Sequence, residues 1–192
     1  MKARLFSREV LPFYLSLLAL AAAALLCDAA LHLLNAVWIG RWLGIPGTLM
    51  ILGSLAYSLR KRKLIRSSHP VKLLRLHEYM AWAGSLLVLV HAGIHFNSIL
   101  AWLATLAMII NVASGLTGKF LLDRSRRRLE EARLRMRAQG LTVEQQSERT
   151  YWDSLTFDAV KQWRSVHFPI TLAFAVLALA HIVAECLFWS WK

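Results

Sequence analysis

Residues 74–96 read LRLHEYMAWAGSLLVLVHAGIHF, and residues 163–188 read WRSVHFPITLAFAVLALAHIVAECLF. Both stretches are apolar, and both carry two histidines at the same spacing. His77 and His91 stand 14 residues apart, as do His167 and His181. At roughly 100° per residue, that spacing comes within ~40° of four full helical turns. Each pair is therefore expected on one face of one helix, about 21 Å apart along its axis. If the two helices face each other in parallel, His77 meets His167 and His91 meets His181. The result would be two bis-histidine sites, one above the other.

The rest of the chain fits that frame. Of its 192 residues 57% are hydrophobic and 18% charged, against about 25% charged in soluble domains. The charges are segregated into short stretches between long apolar runs, the pattern of an all-α integral membrane protein. The net charge of +12 does not indicate nucleic acid as a partner, because the basic residues lie in the connections between apolar runs. There is no C-x-x-C-H for covalent haem attachment, and no paired C-x-x-C for zinc or an iron–sulfur cluster. Cys27 and Cys186 both lie in apolar runs and read as buried, inert thiols.

Five transmembrane helices are expected, at about 11–33, 38–59, 76–96, 99–122 and 166–190, as one domain over 1–192. The first run is too long for the apolar core of a signal peptide. Leu25-Leu26-Cys27 makes a poor lipoprotein site, because a leucine precedes the cysteine. Pro46 falls near the start of the second helix, where proline is tolerated. The segment 123–164 is the one long polar stretch. Asp123 to Gln139 should be helical, with Glu130 and Glu131 paired to Arg126, Arg127 and Arg135, and Gly140 should end it. From 141 to 164 the sequence is polar, with Tyr151, Trp152, Phe157 and Trp163 interspersed.

Lysine and arginine crowd residues 1–10, 60–75 and 119–164, whereas residues 34–42 and 95–98 and the C-terminal tail carry only Arg41 and Lys192. The positive-inside rule then puts the N-terminus in the cytoplasm and the C-terminus in a periplasm. This is the multi-pass topology of a bacterial inner-membrane protein. The third and fifth helices then run in the same direction, as the histidine pairing requires.

Neutral imidazole is a good axial ligand for haem iron. Four histidines at matched spacing on parallel helices imply two haem b groups, with His77, His91, His167 and His181 on the irons. A single membrane histidine read alone would be a hydrogen-bonded group or part of a proton path. Gly84 lies seven residues from both His77 and His91, where it would admit a flat macrocycle or a facing helix. Phe174 lies seven residues from both His167 and His181, between the two sites. Haem propionates call for cations or donors. Arg75, Lys119, Lys161 and Arg164 are candidates at the inner face, and Asn97, Arg41, Trp189, Trp191 and Lys192 at the outer face. Positive-inside topology and an interfacial aromatic belt account for the same residues.

The two quoted stretches resemble the ferric-reductase-like transmembrane cytochromes b. That group includes the membrane domain of NADPH oxidases and the haem subunit of bacterial methionine-sulfoxide reductase systems. The resemblance runs roughly from Leu43 to Trp191, and SGLTGK at 114–119 fits the small bacterial relatives. It implies that the four histidines are axial ligands and that electrons cross the membrane one at a time. Many relatives carry a flavin and nicotinamide domain, but this sequence has no G-x-G-x-x-G and no P-loop. Its electron donor and acceptor are therefore expected to be other proteins or quinol, in a hetero-oligomeric complex seated in membrane lipid.

Asp28, His32, His95 and Glu185 are ionisable residues in the outer half of the membrane by this topology, where such groups are costly. They form a candidate quinol or proton site. The alternative is that they are interfacial residues on separate helices. His95 is also a rival to His91 as ligand, although 18 residues separate it from His77. The segment 123–164 reads either as a strip lying on anionic lipid or as a docking surface for a redox partner. Two other functions stay open: a quinol-oxidising cytochrome b anchor subunit, and a haem-free scaffold or transporter.

Overall fold

The fold was obtained as a computed structural model, which describes residues 11–61, 70–94 and 98–188. Among these residues every regular element is helical. Five stretches are long and apolar enough to cross a membrane: Leu11–Leu33, Val37–Arg60, Lys72–Ile94, Ile99–Phe120 and Ser165–Phe188. Their outward faces are covered with large apolar side chains such as Leu25, Leu49, Leu106 and Leu179, all more than half exposed. An apolar surface this extensive is suited to a membrane. Several hydroxyls in the spans are satisfied within their own helices, as suits hydrocarbon. Ser16, Thr48, Thr105 and Thr171 each donate to the carbonyl four residues back, at 2.7–2.8 Å.

Helix α1, Leu11–Leu33, ends on Asn35, which has φ of 53°. Asn35 N–H reaches His32 O at 3.1 Å and Ala36 N–H reaches Leu31 O at 2.8 Å. This pair of bonds is the Schellman arrangement, with asparagine in the left-handed position. It turns the chain straight into α2, Val37–Trp42, and after Leu43 comes α3, Gly44–Lys61.

The sequence reading expected one helix here. Proline explains the break: Pro46 has no N–H for the carbonyl of Trp42, and its ring would collide with that carbonyl. The chain instead tightens at Leu43, whose N–H bonds Gly40 O at 3.3 Å.

Helix α4, Pro70–Ile94, begins on a proline, well suited to a first helical position. It packs closely along α3 through small residues. A side chain added at Gly84 would come within 2.8 Å of Gly47 O and of Ile51 Cγ1. Helix α5, Ile99–Thr117, runs into a π-helical stretch at Gly118–Leu122 and then α6, Asp123–Ala138.

Gly140, with φ of 73°, ends α6 as its position in the sequence suggested. Gly140 N–H bonds Arg137 O at 3.0 Å and Leu141 N–H bonds Met136 O at 3.2 Å, a second Schellman end. Of the ion pairs expected on α6, Arg135 and Glu131 stand 3.7 Å apart on the surface. Helix α7, Val143–Arg149, opens with a reciprocal capping box between Thr142 and Gln145.

The last helix departs furthest from expectation. Helix α8 spans Tyr151–Phe188, so it starts well before the apolar run and carries Pro169 inside it. The polar stretch from Tyr151 to Arg164, ahead of the expected start at 166, is thus part of the same helix.

The chain divides into two compact units. One comprises Leu17–Val112 and Ala173–Lys192, the other Met1–Ser16 and Ala113–Leu172. Cys27 and Cys186, expected to be buried, are both exposed. A thiol is apolar enough to face lipid, so nothing forces either of them inward.

Candidate functional site

The four histidines project as their spacing predicts. Along α8, His167, Phe174 and His181 lie on the inward face, and Phe174 is buried. Val166, Leu172, Val176, Leu179 and Val183, on the same helix, are all exposed. Along α4, His77, Gly84 and His91 all turn toward the α2–α3 strand of the chain.

In the first unit, each of the two α4 histidines is held by a backbone carbonyl on a neighbouring helix. His77 Nδ1 lies 2.9 Å from Ser54 O, and Tyr57 packs its ring 5.7 Å from the imidazole, centre to centre. His91 Nδ1 lies 3.2 Å from Gly40 O. That carbonyl lies near the end of α2 and also accepts Leu43 N–H at 3.3 Å. Gly44 lies against the imidazole of His91, and a Cβ there would come within 2.9 Å of the ring. A carbonyl can only accept, so both histidines carry the proton on Nδ1 in these bonds. The lone pair then sits on Nε2.

His181 lies in the same unit as His91. Its Nδ1 faces the carboxylate of Glu185 one turn on, at 3.9 Å, and is buried without a hydrogen bond. Among the described residues, α4 and the C-terminal half of α8 do not pack closely at the backbone.

In the second unit, His167 Nδ1 lies 3.1 Å from Ser114 Oγ of α5. Ser114 is 3% exposed. Gly115 adjoins the same imidazole, with 3.7 Å between a Cβ built there and Cε1.

Three of the four imidazoles, those of His77, His91 and His167, thus have an oxygen partner on Nδ1. Oxygen partners on Nδ1 are the outer-shell arrangement that orients metal-ligating histidines. Among the described residues no group of three or more His, Cys, Asp or Glu gathers to hold a metal ion. Axial ligation of a macrocycle needs only two protein ligands.

Gly84 meets Gly47 and Ile51 of α3, so of its two expected roles it fills that of admitting a facing helix. Asp28 lies beside Gly93, with its Oδ1 buried and lacking a hydrogen bond. Its other oxygen is 3.7 Å from His32 Nδ1, which also bonds Asp28 O at 2.9 Å. Glu185 is engaged with His181. Arg41, Arg75 and Lys119 are exposed. Lys161 and Arg164 fall within α8, but their side chains lie outside the described residues, as do His95, Asn97, Trp189, Trp191 and Lys192.

The sequence reading missed Gly40, Gly44, Ser54, Tyr57 and Ser114. A signal for three of them was present. Gly40, Gly44, Gly47 and Ser54 fall at helical spacing and form a stripe of small residues, the means by which membrane helices approach closely.

No protein-family model matches the chain, and no curated protein and no solved structure matches it either.

Proposed function

We propose that the chain carries electrons across a membrane through two b-type haems, held by His91 with His181 and by His77 with His167. The observation that supports this reading is that Nδ1 of His77 and of His91 each donates to a backbone carbonyl of a neighbouring helix. Such a bond orients the ring as it does in metal-ligating histidines. Support is strongest for His91 and His181, which lie within one compact unit. The pairing of His77 with His167 rests on the register of the sequence.

When bound, each haem supplies one-electron redox chemistry. The protein orients the ligands, buries them and sets the spacing. Two sites about 21 Å apart along the helices divide ~30 Å of hydrocarbon into short steps. With the N-terminus in the cytoplasm of a bacterium, His77 and His167 lie toward the inner face and His91 and His181 toward the outer. Donor and acceptor are separate molecules, and the chain works as the membrane subunit of a larger redox complex.

Reconstitution tests this. Vesicles containing the protein and trapped ferricyanide should bleach when dithionite is added outside. With His91→Ala the rate should fall to that of protein-free vesicles. Bleaching at that background rate with the unaltered protein would overturn the reading.

A further inference from the structure

Most span hydroxyls return to their own helix, as Thr105 and Thr117 of α5 do at 2.8 and 2.9 Å. Ser114, between them in the sequence, instead reaches His167 on α8. It is 3% exposed, so water does not compete for its hydroxyl. We propose that Ser114 is a positioning residue for His167, accepting Nδ1–H so that Nε2 is presented to a haem iron. This rests on the dihaem reading above.

The chemistry gives the role a direction. A hydrogen bond from Nδ1–H makes the imidazole more basic at Nε2, and a more basic ligand favours the ferric state. Ser114 therefore lowers the midpoint potential of the haem that His167 ligates. Removing the hydroxyl should raise it. The ratio of oxidised to reduced affinity should change by about threefold to tenfold, which is ~28–59 mV for a one-electron couple. The neighbouring glycine supplies a control. A Cβ at Gly115 makes an ordinary contact with His167, so Gly115→Ala should leave the potential in place.

The test is a potentiometric titration, with haem content, of the full chain carrying Ser114→Ala, Ser114→Thr or Gly115→Ala. The expected result is one midpoint raised in Ser114→Ala, the other unmoved, and native behaviour in Ser114→Thr and Gly115→Ala. Loss of one haem in Ser114→Ala, with both haems retained in Ser114→Thr, would support the same role. Two haems with unchanged midpoints in Ser114→Ala would overturn the role of Ser114 and leave the dihaem reading standing. So would Ser114→Thr behaving like Ser114→Ala. An unaltered protein without haem would instead overturn the dihaem reading itself.

Discussion

Replacing His91 by alanine should reduce haem from two groups per chain to one, and replacing His181 should remove the same group. The double variant His91→Ala/His181→Ala should then hold as much haem as either single variant, because both side chains serve one iron. The prediction follows from the proposed pairing of the two histidines, which lie within one unit, and from the Nδ1 contact of His91 with Gly40. Pyridine haemochrome assay against protein concentration measures it. A double variant with less haem than either single variant would mean that the two histidines serve different groups.

Replacing Gly84 by alanine should disturb both haems at once. Its new Cβ would come within 2.8 Å of Gly47 O and 3.2 Å of Ile51 N, and backbone cannot swing aside as a side-chain tip can. Overpacking of this kind costs about 1–3 kcal/mol, more than the ~1 kcal/mol that alanine gains over glycine in a helix. Relief requires α3 and α4 to part. The bond from His77 to Ser54 lies on one side of Gly84 and that from His91 to Gly40 on the other. Both should lengthen. The expected outcome is a lower thermal midpoint in detergent, together with perturbed spectra of both haems. Gly118→Ala is the control, because a Cβ there meets nothing within 4 Å. Native stability in Gly84→Ala would show that the helices already have room to spare.

Hydropathy made the spans legible, and α1 occupies the stretch expected from it. It gave no warning that α8 begins at Tyr151, because a helix continuing beyond the membrane has no reason to stay apolar. Nor did it reveal the break before Gly44. Pro46 was noticed, but its effect falls on a carbonyl four residues earlier, which a reading of side chains passes over.

The same distinction applies to the site. Histidine spacing announced a shared face, because 14 residues nearly complete whole turns. The groups that hold His77 and His91 are main-chain carbonyls of Ser54 and Gly40, and a carbonyl has no letter in a sequence. Only the stripe of small residues that brings those carbonyls within reach was there to be read.

The central claim is most directly tested by the dithionite-reduced minus oxidised optical spectrum of the purified protein, with haem stoichiometry. Two b-type haems per chain are predicted, each lost when a member of its histidine pair is replaced. A folded preparation that contains no haem, and takes up none when haem is supplied during expression, would contradict the account. The four histidines would then be hydrogen-bonding groups of a membrane scaffold or transporter.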